Sequence, residues 1–181
     1  ALFGGWAAAR LWQRGWAGKA LVVAAAGFTL VHGAAVDYLL ANDPRYQVEA
    51  WLREHAGPGT RLETYHEPPF LPRPMPGVEI VVPPFAETTH AGIEARRPDL
   101  VLISMSNTRR ITQRYSKIDP QPVRRPENAV FLKALLDGEL PYRKVGEFRV
   151  RWPLLPRYFI PTLNPPLLLF VRDNALTDRR P

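Results

Sequence analysis

No cysteine occurs anywhere in the 181 residues. Disulfides, thiol nucleophiles and cysteine–zinc sites are thereby excluded. Histidine is scarce: His32, His55, His66 and His90 are the four present. No two of them stand at a metal-ligand spacing such as H-x-x-x-H, so nothing points to a metal site. A glycine-rich phosphate loop is also lacking. Gly57-Pro58-Gly59 comes nearest, and its proline removes a backbone donor that a phosphate cradle needs. Ser104 and Ser106 lie at a strand end without a surrounding G-x-S-x-G elbow, which sets aside a serine nucleophile. Acid is in deficit: 17 Asp and Glu stand against 24 Lys and Arg, a formal charge of +7. That balance suits an anionic partner, whether nucleic acid, a membrane surface or a phosphate-bearing substrate.

Proline, by contrast, is abundant, with 20 residues where an average composition of about 5% would give roughly half as many. Proline interrupts helices and central strands, so short elements joined by extended loops are expected. Apolar residues make up 46% of the chain, enough for a packed core and too many for a disordered segment. The length suits one ordinary domain plus a small additional element.

That element is at the N-terminus. Residues 1–9 are apolar, a basic stretch with Arg10, Arg14 and Lys19 follows, and Ala20 to Val36 is a 17-residue run without charge. The run lies at the short end of the about 17–25 residues that span a hydrocarbon core. Trp12 and Trp16 stand where an interfacial aromatic belt belongs. The expectation is a membrane segment over residues 1–42: the tail of one helix, a short basic loop and one spanning helix. The flanking bases put its N-terminal side in the cytoplasm, so residues after about 42 fall on the extracytoplasmic side of the cell (inner) membrane. Two other readings compete. One is a signal peptide cleaved near Gly33-Ala34-Ala35; the other is a buried helix of a soluble protein. His32 reads as a helix–helix contact. Because residue 1 is alanine, a fragment or a processed chain is expected.

Residues 43–181 read as an α/β domain with a mixed, partly parallel sheet and Pro-rich loops. Asp43-Pro44 opens a helix, with Asp as cap and Pro in the first turn. Val48, Trp51, Leu52 and His55 give it one buried face, and Gly57-Pro58-Gly59 stops it. Strands are expected at 60–65, 78–82, 99–104, 142–152 and 167–172, with 99–104 a continuous apolar run of the kind seen in parallel sheets and 167–172 a final buried strand. In 142–152 the alternating Phe148, Val150 and Trp152 form one face. A helix is expected at 126–137, with Phe131, Leu132, Leu135 and Leu136 inward and Gly138 as its stop. Residues 66–77, with five prolines, read as an extended surface loop.

Two segments carry candidate chemistry. Tyr65-His66-Glu67 ends a strand with reactive side chains, and Arg73 follows between prolines. His66, Glu67 and Arg73 are the candidate substrate contacts, against an ordinary polar loop as the alternative. Arg109, Arg110, Arg114, Lys117, Arg124 and Arg125 oppose Asp119 alone. Held at a bilayer, these six bases are candidates for contact with headgroups or a lipid-linked phosphate, at about 1 kcal/mol each. A solvated loop with no partner is the alternative. Nucleic acid is not expected, since Tyr115 is the single aromatic available for stacking in that stretch.

The order of parts also carries a resemblance. A spanning helix leads into Asp43-Pro44-Arg45, Ala50-Trp51-Leu52 and Gly57-Pro58-Gly59; Pro98-Asp99-Leu100-Val101 and Leu163-Asn164-Pro165 come later, and the last strand ends Phe170-Val171-Arg172. Taken in order over nearly the whole chain, these resemble the C-terminal end of bacterial GT-C membrane glycosyltransferases, the group that includes protein mannosyltransferase-like and aminoarabinose transferase-like enzymes. Each motif alone is short. The resemblance implies a sugar donor on a polyprenyl phosphate, an extracytoplasmic C-terminal domain, and catalytic acids in an early loop to which no part of this chain corresponds. No catalytic residue is therefore carried over, and no cofactor is expected within the chain. The partners implied are the lipid bilayer, the lipid-linked sugar phosphate and the rest of the parent membrane protein. The alternative is a membrane-anchored extracytoplasmic binding or scaffold module without catalysis.

Overall fold

The computed structural model describes residues 2–65, 71–105, 108, 126–150, 164–173 and 175. Two helices open the chain, α1 (Leu2–Trp12) and α2 (Trp16–Ala41). The connection is tighter than a basic loop over 10–19: Arg10 belongs to α1 and Lys19 to α2, and the turn is Gln13 to Gly15. The two helices pack on one another where Gly18 is buried. A Cβ at Gly18 would come within 1.9 Å of the Leu11 carbonyl oxygen, so only glycine permits this approach. Lys19 Nζ lies 5.7 Å from the Trp12 ring across the hairpin, and within α1 the Arg10 guanidinium lies 4.9 Å from the Trp6 ring.

The 26 residues of α2 give about 39 Å of helix, enough for a hydrocarbon core of about 30 Å. It is long and apolar enough to cross a membrane. Leu21, Val23, Phe28 and Leu30 are each more than half exposed, which a core helix of a soluble protein would not tolerate. Protein covers only its two ends, where Gly18, Ala35 and Leu39 are buried.

No linker separates α2 from the domain. Asn42 caps α2 through its backbone N–H on the Tyr38 carbonyl, and Asp43 at once caps α3 (Pro44–His55), its carboxylate accepting from the Arg45 N–H at 2.8 Å. Val48 and Leu52 are buried and Trp51 is half-buried, as the periodicity requires. His55 stays exposed instead, stacked on Trp51 at 4.3 Å.

Five strands follow: β1 (Thr60–Thr64), β2 (Val78–Val81), β3 (Leu100–Ser104), β4 (Tyr142–Phe148) and β5 (Leu167–Arg172). They lie in the order β2-β1-β3-β5-β4. The β2-β1-β3 part is parallel and β3-β5-β4 is antiparallel, so the sheet is mixed. A 3-10 turn (Phe85–Glu87) and α4 (His90–Arg96) lie between β2 and β3, and α5 (Pro126–Asp137) between β3 and β4.

Side-chain alternation splits the core into two layers. Val101, Ile103, Leu168 and Phe170 face α4 and α5, meeting Ile93, Phe131, Leu132 and Leu135. Leu62, Leu100, Leu102, Leu167, Leu169 and Val171 face the other way, meeting Val48 and Leu52 of α3. The expected inward face of α5 holds except at Leu136, which is exposed; Asn128 and Ala129 are buried as well. β4 stops at Phe148, which leaves Val150 outside the strand, and Trp152 lies outside the described residues.

Four residues join α3 to β1, so α3 ends near the start of β1, and it packs across β4 and β5. The parallel strands β1 and β3 end at the edge away from that connection.

Candidate functional site

In a sheet of this kind, ligands favour the crevice beyond the carboxyl ends of neighbouring parallel strands whose connections depart in opposite directions. Here those strands are β1 and β3, since the chain goes from β1 outward to β2, and from β3 toward β5 and β4. Both candidate segments continue from this edge, His66 and Glu67 following Tyr65, and the basic stretch following Met105. His66, Glu67, Arg109, Arg110, Arg114, Lys117, Arg124 and Arg125 themselves lie outside the described residues. At this edge the Thr64 hydroxyl and both polar atoms of the Asn164 amide are buried without a hydrogen-bond partner.

Arg73 is described, and its guanidinium is already engaged. It donates to Glu49 of α3 from Nε at 3.1 Å and from Nη2 at 2.6 Å, and its backbone N–H reaches the same carboxylate at 2.9 Å. Its guanidinium also lies 5.2 Å from the Tyr46 ring. Burial alone pushes the Glu49 carboxyl up. The hydrogen bonds and positive charge of Arg73, helped by Arg53, outweigh it and hold the carboxyl below its usual range.

The same arrangement recurs. Asp43, Glu49, Glu63 and Asp99 are the buried acids among the described residues, between 1% and 6% exposed, and each meets an arginine. Glu63 of β1 accepts from Arg96 of α4 at 2.7 and 2.8 Å and from the Tyr65 hydroxyl at 2.6 Å. Burial pushes the Tyr65 phenol well up, and the neighbouring Glu63 charge adds to it. Asp99, just before β3, accepts from Arg172 at the end of β5 at 2.9 Å and from the Arg61 backbone N–H at 3.1 Å. A carboxylate leaves water only when such partners replace it. Each of these acids is thus already held by an arginine. Among the described residues no group of three metal-ligating side chains stands close enough to hold an ion.

Sequence reasoning missed these clasps because their partners are 24, 33 and 73 residues apart. Only Asp43-Pro44-Arg45 was local enough to read. It also left α4 unassigned, since Ile93 is the one buried residue of that helix and gives no periodicity. The Thr89 cap, which accepts from the Gly92 N–H at 3.1 Å, was the available signal.

A cavity of about 390 Å³ opens at the other edge of the sheet, beside α4 and the ends of β4 and β5. No family model matches the chain, and no curated protein or solved structure matches it either.

Proposed function

We propose that this chain is the C-terminal accessory region of an integral-membrane glycosyltransferase that uses a polyprenyl-phosphate sugar donor. In this reading α2 spans the cell (inner) membrane and residues 43–181 lie on its extracytoplasmic side. The catalytic loop belongs to the rest of the parent protein. The observation that carries the reading is the junction at Asn42 and Asp43: an exposed apolar helix enters the α/β domain without a linker. His66 and Glu67 follow β1 in sequence and the six bases from Arg109 to Arg125 follow β3, and bases held at a bilayer attract the charge of a polyprenyl phosphate.

The test is sugar transfer in isolated membranes carrying the parent gene product, with a radiolabelled polyprenyl-phosphate sugar. Deleting residues 43–181 is expected to cut transfer at least tenfold while the protein stays in the membrane. Transfer at background level from the undeleted parent overturns the reading.

One observation favours a second reading, an anchored binding or scaffold module without catalysis. Every buried acid described is already satisfied by arginine. A parent without transfer activity, together with a reporter fused after residue 181 placing the domain outside the cytoplasm, supports this alternative.

A further inference from the structure

The cavity beside α4 has a floor of Ile93, Leu140 and Pro141, and charged groups of both signs on its walls. Its volume, about 390 Å³, is in the range of small-ligand sites. The charges differ in how far they are committed. Arg172 is held by Asp99 at 2.9 Å, Glu94 by His90 at 3.0 Å, and the Tyr142 hydroxyl donates to the Pro98 carbonyl at 3.0 Å. Arg97 and Asp173 are different. Both line the cavity, and among the described residues neither side chain makes an ion pair or hydrogen bond, with each other or with a third group. One uncommitted positive and one uncommitted negative charge thus share a single recess.

Arg97 also carries a conformational cost. It closes α4 in the left-handed region, with φ +44°, where it is the one non-glycine residue with positive φ among those described. Glycine is the usual residue at this position of a helix end. Backbone strain of this kind gathers at ligand sites. A glycine here would relieve the backbone and lose the guanidinium.

We infer that this cavity binds a small zwitterion, its anionic group on Arg97 beside Arg172 and its cationic group on Asp173. The Arg172–Asp99 pair is neutral, and a ligand bearing one charge alone leaves Arg97 or Asp173 unmatched. The cavity opens at the edge where β1 and β3 begin. This inference does not rest on the glycosyltransferase reading.

The test is calorimetric titration of the full chain in a non-ionic detergent with phosphoethanolamine, glycine and taurine as probes. Inorganic phosphate and ethanolamine serve as the single-charge controls. At least one zwitterion is expected to bind saturably and at least tenfold more tightly than either control. Arg97→Gly and Asp173→Asn are each expected to weaken it at least tenfold. Arg97→Gly should leave the Tm unchanged or higher, which separates lost binding from lost folding. No saturable binding by any of the three zwitterions overturns the inference. So does phosphate binding as tightly as phosphoethanolamine, or an Asp173→Asn variant that binds as well as the parent chain.

Discussion

Arg73 reaches back 24 residues to close on Glu49, two guanidinium nitrogens and one backbone N–H converging on a carboxylate that is itself buried. The pair fixes the chain beyond β1 against α3. Its pH dependence has a definite sign. The folded carboxyl lies below its ordinary value of 4.5, so the stability it contributes is present above about pH 4.5 and is lost as pH falls through the lower folded value. Urea titrations at pH 7 and at stepwise lower pH are expected to show this loss. Glu49→Gln should flatten that part of the profile.

Tyr142 sets the alkaline limit. Burial pushes its phenol up to about 12 from the ordinary 10, and its hydroxyl donates to the Pro98 carbonyl. A raised folded value means full stability below pH 10, declining as pH rises from 10 toward 12. Tyr142→Phe is expected to lessen that decline in a plot of Tm against pH, the more strongly raised Tyr65 keeping the rest, at the cost of about 0.5–1.5 kcal/mol for the lost hydrogen bond.

The helical hairpin depends on one hydrogen atom at Gly18. Gly18→Ala forces a methyl against the Leu11 carbonyl and is expected to cost about 1–3 kcal/mol as overpacking. The measurement is thermal unfolding in detergent, compared with Gly27→Ala, where a Cβ meets nothing within 4 Å.

Leu30 lies within α2 and is 74% exposed. If α2 spans a bilayer, Leu30→Arg places a charge in hydrocarbon at a cost of about 2.5–3.5 kcal/mol on insertion scales. Carbonate-resistant membrane association should drop. Unchanged association would remove the case for a span.

Phe131 joins α5 to the sheet and meets the Tyr65 ring edge-on at 5.2 Å. Phe131→Ala is expected to destabilise by about 3–5 kcal/mol, read from denaturant midpoints. Val130→Ala, on the exposed side of the same helix, should change the midpoint little.

The elements that were legible in the sequence share a cause. α3 and α5 carry a cap or a stop beside a 3.6-residue apolar period, and β3 and β5 are unbroken apolar runs buried on both faces. α4 was not legible because one buried isoleucine makes no period, and β4 looked longer because Val150 and Trp152 continue its alternation past the end of its pairing with β5 at Phe148–Leu167. Strand order and direction were beyond local reading, since they depend on pairings such as Leu100 with Val171. The basic segment stood out by its charge, and Tyr65-His66-Glu67 by reactive side chains at a strand end. The cavity with Arg97 and Asp173 was invisible because its walls come from α4 and the far ends of two strands.

The missing linker between α2 and α3 has a mechanical result. Asn42 closes one helix and Asp43 opens the next, so the stem and the head form a lever without a free pivot. A helix about 39 Å long responds to a thinner bilayer by leaning, at a modest cost per ångström of mismatch. If α2 spans a bilayer, α3 and the sheet lean with it, and the domain changes its tilt against the membrane surface. Membrane thickness would thus be felt in the attached domain as an angle.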